Sequence, residues 1–198
     1  MRRSRRLASG SLALLVLLIS LPAIAHDNER TPLPPASPAF KCDGGVSTSF
    51  DITGAVLKAQ SFTLKSLEAM KPSTTVWDYF GEGARSRPSE FTGVLLWDLL
   101  AKAVIELNPA VKNDIGRKYI VATGTDCYQA VFAMGEIDPA IGGTGQIMIA
   151  YAKWVNGQQT TLGANGFARI IVPADKTGSR CVHNLAHIRV ISVPAPVK

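Results

Sequence analysis

The stretch that decides the fold of this 198-residue chain is Gly166–Ile188, with the sequence GFARIIVPADKTGSRCVHNLAHI. Its run Phe167–Val172 predicts a β-strand, and Ile188–Val193 predicts another strand near the C-terminus. Between them, Ala174–Ser179 is a glycine-containing loop that ends beside Arg180. Such a loop can bind a phosphate group through backbone N–H groups as well as through cationic side chains.

Strands outnumber helices in the rest of the chain. Alternating or β-branched sequences predict strands at Ser47–Thr53, Thr74–Phe80, Tyr119–Thr123, Gln129–Ala133 and Gln146–Ala152. Asn156-Gly157 is a strong hairpin-turn signal, and Gly81–Pro88 is predicted to be a polar loop.

Two helices are predicted between these strands. Thr63 can cap a short helix that carries Leu64, Leu67 and Met70 near one face. A wide apolar stripe predicts a longer helix at Val94–Leu107. Because helices fall between some strands but not others, we expect a mixed α+β domain rather than a doubly wound sheet.

The N-terminus is typical of an export signal. Four arginines at positions 2, 3, 5 and 6 precede the apolar run Leu12–Leu21, and Pro22–Ala25 supplies small residues before a cleavage site. We therefore expect residues 1–25 to be a signal peptide and the mature protein to be periplasmic or secreted. Ser4–Leu7 resembles a twin-arginine signal, whereas Leu12–Ile19 is typical of general secretion, so the export route stays open. The alternative is a membrane anchor, but the apolar run is shorter than the ~20 residues that a spanning helix needs, which favours cleavage with no span left after it.

The segment after the predicted cleavage site is rich in proline. Residues 26–40 carry prolines at positions 32, 34, 35 and 38, which predicts an extended tether before a folded domain at residues 41–198. The formal net charge of +6 falls to +2 without the leader, since 6 − 4 = 2. This balance excludes a strongly basic nucleic-acid-binding surface.

The chain contains three cysteines, Cys42, Cys127 and Cys181. In an oxidising compartment one pair can form a disulfide, and the spacing does not say which pair. The sequence has no C-x-x-C motif, and we predict no metal site.

Three segments, taken in order, resemble the molybdopterin-binding domain of the sulfite oxidase family. They are Phe91–Leu100 (FTGVLLWDLL), Val121–Met134 (VATGTDCYQAVFAM) and Gly166–Ile188. The last contains ARIIVP, similar to the family's Pro-Leu-Arg-Leu-Val-Val-Pro run, and GSRCV, similar to its Gly-x-Arg-x-Val. The resemblance spans roughly residues 50 to 193 and implies a strand-rich, sulfite-oxidase-like molybdopterin-binding fold.

The resemblance also implies a cofactor, molybdopterin, and a set of residues that bind it. These are Arg169, Arg180, His183, Asp126 and Tyr128. The guanidinium of Arg169 suits phosphate oxygens, whereas His183 stands where the family usually has lysine and brings less charge. The alternative for Arg169 is an ordinary salt bridge with Asp126 or Asp175.

This chain departs from the family at two positions. The family's molybdenum-binding cysteine would fall in or near Thr74–Phe80, which contains no cysteine, so no protein thiolate ligand is identified. Cys127 stands where the family usually has glycine, so we expect that turn to have lost a left-handed backbone position.

Two functions are compatible with these observations. The first is an exported protein that binds a pterin-type cofactor or another small anionic ligand. As an enzyme it would be a molybdopterin-dependent oxidoreductase, and with no haem motif in the sequence it would need a separate redox protein. The second is a cofactor-free periplasmic module that binds a partner protein or a solute, which the missing cysteine and His183 favour.

Overall fold

The computed structural model describes residues 40–78, 80–81, 84–85, 88–142 and 146–194, which belong to one compact unit. The predicted signal peptide, and the predicted tether up to residue 39, lie outside the described residues. Within those residues, no helix has the length and apolarity needed to cross a bilayer.

The described chain forms twelve strands and three short α-helices. The strands are β1 (Ser49–Gly54), β2 (Gln60–Thr63), β3 (Ser73–Trp77), β4 (Phe80–Gly81), β5 (Ala84–Arg85), β6 (Ser89–Leu95), β7 (Lys118–Gly124), β8 (Gln129–Ala133), β9 (Met148–Val155), β10 (Gln158–Thr161), β11 (Arg169–Ile171) and β12 (Leu185–Ser192). The helices are α1 (Leu64–Glu68), α2 (Leu96–Ala103) and α3 (Met134–Ile137). The predicted mixed, strand-rich α+β class agrees with this architecture.

The strands form two main sheets. The first sheet has the order β2-β1-β12-β7-β8, in which β1 and β12 are parallel and the other neighbours are antiparallel. The second has the order β10-β9-β6-β3, and β11 also pairs with β9. The hairpin β4-β5 forms a separate two-stranded sheet. The last strand, β12, therefore lies at the centre of the first sheet, beside the first strand of the chain.

The main core lies between the inner faces of the two sheets. Alternation in β1 buries Phe50 and Ile52 and leaves Asp51 facing outward. In β9, Ile149 and Tyr151 belong to the main core. The residues that alternate with them, Met148 and Ala150, belong to a second buried cluster on the opposite face. This second cluster also contains Trp77, Phe91, Leu162, Ile171 and Cys181.

The predicted helix over Val94–Leu107 was too long at both ends. Val94 and Leu95 belong to β6, where they pair with Ile149 and Met148 of β9. The helix ends at Ala103 because Val104 adopts a left-handed φ of 57°. The carbonyls of Ala103 and Val104 accept hydrogen bonds from the backbone of Lys58 and Leu57. Tertiary pairing, rather than the apolar stripe, therefore sets both helix ends.

Other local predictions were confirmed or corrected individually. Thr63 caps α1, and its side chain accepts a hydrogen bond from the Ser66 backbone. The turn Asn156-Gly157 joins β9 to β10 with both φ angles positive, at 49° and 75°. The predicted loop Gly81–Pro88 was wrong at its start, because Phe80–Gly81 pairs with Ala84–Arg85 as a short hairpin.

Candidate ligand site

The residues predicted to bind a cofactor come mainly from two loops that meet in the structure. The turn between β7 and β8 supplies Asp126 and Tyr128, and the segment after β11 supplies Arg180 and His183. The hydroxyl of Tyr128 donates a hydrogen bond to the carbonyl of Ser179, and the backbone N–H of Thr125 donates to the carbonyl of Asn184 at 3.0 Å. The topology therefore brings the predicted residues into one region.

Close packing at Gly124 holds the two loops together. A Cβ atom at this position would lie 2.6 Å from the carbonyl oxygen of His183 and 2.7 Å from Oδ1 of Asp126. Only glycine lets the backbones approach this closely. The same Asp126 Oδ1 accepts a hydrogen bond from the backbone N–H of Tyr128 at 2.9 Å, so Asp126 stabilises its own turn.

The guanidinium of Arg180 is held by two carboxylates. Its Nε and Nη2 donate to the two oxygens of Asp175 at 3.0 and 2.8 Å, and Nη1 donates to both oxygens of Glu136 at 3.0 and 2.8 Å. The guanidinium also lies 5.0 Å from the ring centroid of Phe132. The hydrogen bonds that Arg180 donates to Asp175, followed by those that it donates to Glu136, raise its pKa despite the opposing effect of burial. Arg180 therefore joins two acidic residues of its own chain.

Arg169 is buried in the second cluster, with 5% of its surface exposed. Its Nε and Nη2 lie 3.2 and 2.7 Å from the sulfur of Cys181. Its guanidinium carbon lies 5.9 Å from the ring centroid of Trp77 and 5.3 Å from that of Phe91. Within the described ranges, no carboxylate lies within ion-pair distance of Arg169.

The salt-bridge alternative for Arg169 is therefore not what the structure shows. Asp175 pairs with Arg180, and Asp126 binds the backbone of its own turn. A thiol and two aromatic rings surround the Arg169 cation instead.

His183 is exposed, and both Arg169 and Asp126 act on it electrostatically. Desolvation lowers its pKa, repulsion from Arg169 lowers it further, and attraction to Asp126 opposes both effects. The imidazole is consequently neutral at pH 7 and supplies a hydrogen-bonding group rather than a second cation.

Cys127 forms a disulfide with Cys42, which leaves Cys181 as a buried free thiol. Cys127 has a φ of 67°, so the expectation that this turn had lost its left-handed position was wrong. The tertiary structure holds the cysteine in the conformation that glycine adopts more readily.

These side chains do not fit an anionic pterin cofactor as they stand. Arg180 is occupied by Asp175 and Glu136, Arg169 is buried against Cys181, and His183 is neutral. Among the described residues, no group of three or more histidine, cysteine or acidic side chains is arranged to hold a metal ion. The roles assigned to these residues by resemblance stay predictions.

The sequence reasoning missed Cys181 and Glu136, which are the partners of the two arginines. The burial of Arg169 could have been predicted from β11. Residues two apart in a strand share a face, so Arg169 lies on the same face as the apolar Ile171, which indicates burial. No comparable signal was available for Glu136, because 44 residues separate it from Arg180.

The fold is similar to a solved structure, the sulfane dehydrogenase SoxCD from Paracoccus pantotrophus, with a TM-score of 0.54 and 22% sequence identity. The match covers 72% of this chain and 37% of that one, so this chain spans little more than a third of its length. At this identity the likeness shows a distant relation of fold alone. No family model matches the chain, and no curated protein matches it.

Proposed function

We propose that this protein is a cofactor-free binding module, in which the residues expected to hold a pterin have a structural role. The observation that carries the proposal is the double carboxylate clamp on Arg180, formed by Asp175 and Glu136. In this view the chain keeps the fold of a cofactor-binding domain and uses its arginines to stabilise it.

The energetics of Arg180 support this role. Releasing its guanidinium for a phosphate would break its charge-assisted hydrogen bonds to both carboxylates, although solvent weakens them because 33% of the Arg180 side chain and 35% of the Glu136 side chain are exposed. It would also leave two partly buried carboxylates, those of Asp175 and Glu136, beside an incoming anion. An anionic ligand is therefore disfavoured at this position, and a structural clamp is favoured.

The disulfide supports an extracytoplasmic location for the module. Disulfides persist in oxidising compartments and are rare in the cytosol. Cys42–Cys127 is therefore compatible with the periplasmic or secreted location that the N-terminal sequence predicts.

A second candidate is the binding of a pterin-type cofactor, with a separate redox protein as partner. The order of the sequence segments and the likeness of fold to a dehydrogenase favour it. The convergence of the Asp126–Tyr128 turn with the Ser179–His183 segment favours it too. This candidate requires Arg180 to exchange its present partners for the ligand.

Elemental and pterin analysis of the full chain, purified from the compartment to which it is exported, distinguishes the two candidates. If the protein is a cofactor-free module, we expect well below about 0.1 equivalent of molybdenum or pterin per chain. A loaded cofactor protein would contain roughly one equivalent, which is about tenfold more. Stoichiometric molybdenum or pterin would overturn the proposal.

An Arg180→Gln variant tests the clamp itself. Lys176→Gln is the matched control, because Lys176 is an exposed cation in the same loop. We expect Arg180→Gln to lower the free energy of unfolding and Lys176→Gln to leave it unchanged. If both variants unfold like the wild type, Arg180 has no structural role.

A further inference from the structure

A concave site lies on the outer face of the first sheet, on the side away from the core. It is a cavity of about 760 Å³ lined by residues of β1, β7, β8 and β12 and by the segment that precedes β1. This volume lies within the ~300–1,000 Å³ of small-molecule pockets. None of the residues predicted to bind a cofactor lines it.

The strand register arranges the floor of this cavity in rows. Asp51 is the partner of His187 in β12, His187 is the partner of Thr123 in β7, and Thr123 is the partner of Gln129 in β8. Paired residues on adjacent strands project to the same face, so these four side chains form a continuous polar row. The adjacent row contains Thr53 and Arg189.

The floor of the cavity carries two charged residues of opposite sign. Asp51 and Arg189 both line the cavity, and neither has an ion pair or a side-chain hydrogen bond within the part of the chain that the structure describes. They are diagonal neighbours on the same face of the parallel strands β1 and β12, and a strand spacing of ~4.8 Å with a rise of ~3.3 Å per residue puts their Cα atoms roughly 8 Å apart. That separation suits a small molecule that carries an ammonium and a carboxylate group between them.

His187 lies next to both charged residues in the strand register and does not add a third charge. Desolvation lowers its pKa and Arg189 lowers it further, while Asp51 opposes the change, so the ring is neutral at pH 7. Its Nε2 is hydrogen bonded to the hydroxyl of Thr53 at 2.8 Å, and its ring stacks on Phe40 with centroids 5.3 Å apart. These contacts fix the imidazole beside Asp51, its cross-strand partner, and beside Arg189, which lies two residues further along β12.

One wall of the cavity depends on the disulfide. Cys42 and Cys127 both line the cavity, and their bond fixes the segment that carries Phe40 to the turn between β7 and β8. Two hydrogen bonds strengthen the attachment, from Gly44 N–H to the carbonyl of Thr125 and from the Thr125 hydroxyl to the carbonyl of Gly45. Phe40, Val121 and Ile191 supply apolar surface beside the charged floor.

We propose that this cavity binds a small zwitterion of the amino-acid class, with its ammonium group on Asp51, its carboxylate on Arg189 and its side chain against Phe40. This inference deepens the proposed function, since it names the solute class that the binding module takes. Charge-assisted hydrogen bonds at both ends favour a molecule with both charges over one with either alone.

A thermal-shift screen of the twenty common amino acids and glycine betaine, each at 10 mM with the full exported chain, tests the proposal. The strongest ligand is then titrated by calorimetry beside its decarboxylated amine and its deaminated acid. We expect each singly charged analogue to bind at least tenfold more weakly than the zwitterion, about 1.4 kcal/mol. Equal binding of an analogue, or no stabilisation by any zwitterion in the screen, overturns the proposal.

Substitutions of residues that line the cavity test whether the ligand binds there. Asp51→Asn and Arg189→Gln should each raise the Kd at least tenfold, because each removes a charge that has no partner among the described residues. The matched controls are Glu106→Gln and Lys58→Gln, which change exposed charges outside the cavity. Cys42→Ser should also weaken binding, because it releases the Phe40 wall. Binding that is unaffected in both Asp51→Asn and Arg189→Gln would place the ligand elsewhere and refute the assignment.

Failure of the zwitterion proposal can be distinguished from failure of the proposed function. Bound molybdenum or pterin contradicts the cofactor-free module whatever the amino-acid screen shows. A failed screen in a protein free of molybdenum and pterin removes only the zwitterion site.

Discussion

The guanidinium of Arg169 and the thiol of Cys181 form a buried pair in which the sulfur accepts from Nη2 at 2.7 Å and from Nε at 3.2 Å. The same thiol donates to the carbonyl of Ile170 at 2.8 Å. Burial raises the pKa of Cys181, and the nearby cation of Arg169 only partly opposes the change. The cation is thus held by a neutral sulfur and two aromatic rings, which is a structural arrangement rather than an open anion site.

The Arg169–Cys181 pair should contribute measurably to stability. Cys181→Ala leaves two buried guanidinium N–H groups without an acceptor, which should lower the free energy of unfolding by about 1–3 kcal/mol. Cys181→Ser retains an acceptor and should lose less. Urea denaturation of both variants measures the difference.

A double-mutant cycle with Arg169→Met isolates the interaction. Because Arg169→Met removes the N–H groups that Cys181→Ala leaves without an acceptor, the two changes combined should cost less than the sum of the single changes. Strict additivity would show that the two side chains do not stabilise each other.

The disulfide should stabilise the domain, and the two cysteines should differ in the cost of their replacement. Cys42 and Cys127 are separated by 85 residues, and removing a disulfide that closes a loop of this length typically costs about 2–5 kcal/mol. Cys127→Gly should cost about 1 kcal/mol less than Cys42→Ser, because glycine relieves the left-handed strain at φ 67°. Guanidinium denaturation without reductant compares them, and equal midpoints would argue against strain at Cys127.

Acid should destabilise the domain through Asp114. Its buried carboxylate accepts a hydrogen bond from the backbone N–H of Asn108 at 2.9 Å and forms an ion pair with Lys118 at 2.8 Å. These contacts lower its pKa below the ordinary 3.8, with the Asn108 hydrogen bond as the largest cause. Since the folded state binds the proton less readily than the unfolded state, the stabilisation is present above pH 3.8 and is lost as pH falls through the lowered pKa.

An Asp114→Asn variant checks this linkage. Unfolding measured from pH 7 to pH 2 should show the variant less stable than the wild type near neutrality, with the two curves converging in acid. A difference that stays constant across the whole range would assign the effect to something other than this carboxylate.

Replacing Gly44 and Gly54 with alanine distinguishes the cost of a left-handed backbone from the cost of a steric clash, because the two glycines have similar φ angles but different surroundings. Gly54 and Gly44 have φ angles of 93° and 69°, but a Cβ at Gly54 would lie 2.1 Å from the carbonyl oxygen of Val190, whereas nothing lies within 4 Å of one at Gly44. Gly44→Ala should cost about 1 kcal/mol, from the left-handed conformation. Gly54→Ala should lower the free energy of unfolding by at least about 2–3 kcal/mol, because β1 and β12 must also separate. Thermal unfolding of the two variants tests this, and equal losses would exclude the clash.

Local sequence predicted strands well where side chains alternate. Gln129–Ala133 was predicted with the bounds that β8 has in the structure, and Phe50 and Ile52 were correctly expected to mark a half-buried strand. Prediction was poorer at Val94–Leu107, where an apolar run is compatible with either a strand or a helix. Pairing of Val94 with Ile149, more than 50 residues away, decides for the strand.

For the predicted ligand site, too, some features followed from the sequence and others depended on the tertiary structure. The family resemblance of Val121–Met134 and Gly166–Ile188 pointed to the residues of both loops, and only the structure shows that the two loops meet. The sequence did not show which charges neutralise each other, since Arg180 meets Glu136 only after β8 and the segment following β11 come together.

The sequence by itself determined the strand-rich class, the capped helix at Thr63, the Asn156-Gly157 hairpin and the order of the family-like segments, because periodicity, capping and turn chemistry act over a few residues. Only the tertiary structure decided the Cys42–Cys127 pairing, the partners of Arg169 and Arg180, and the polar row from Asp51 to Gln129. These features depend on strand order and register, which join residues that are distant along the chain, so no local pattern encodes them.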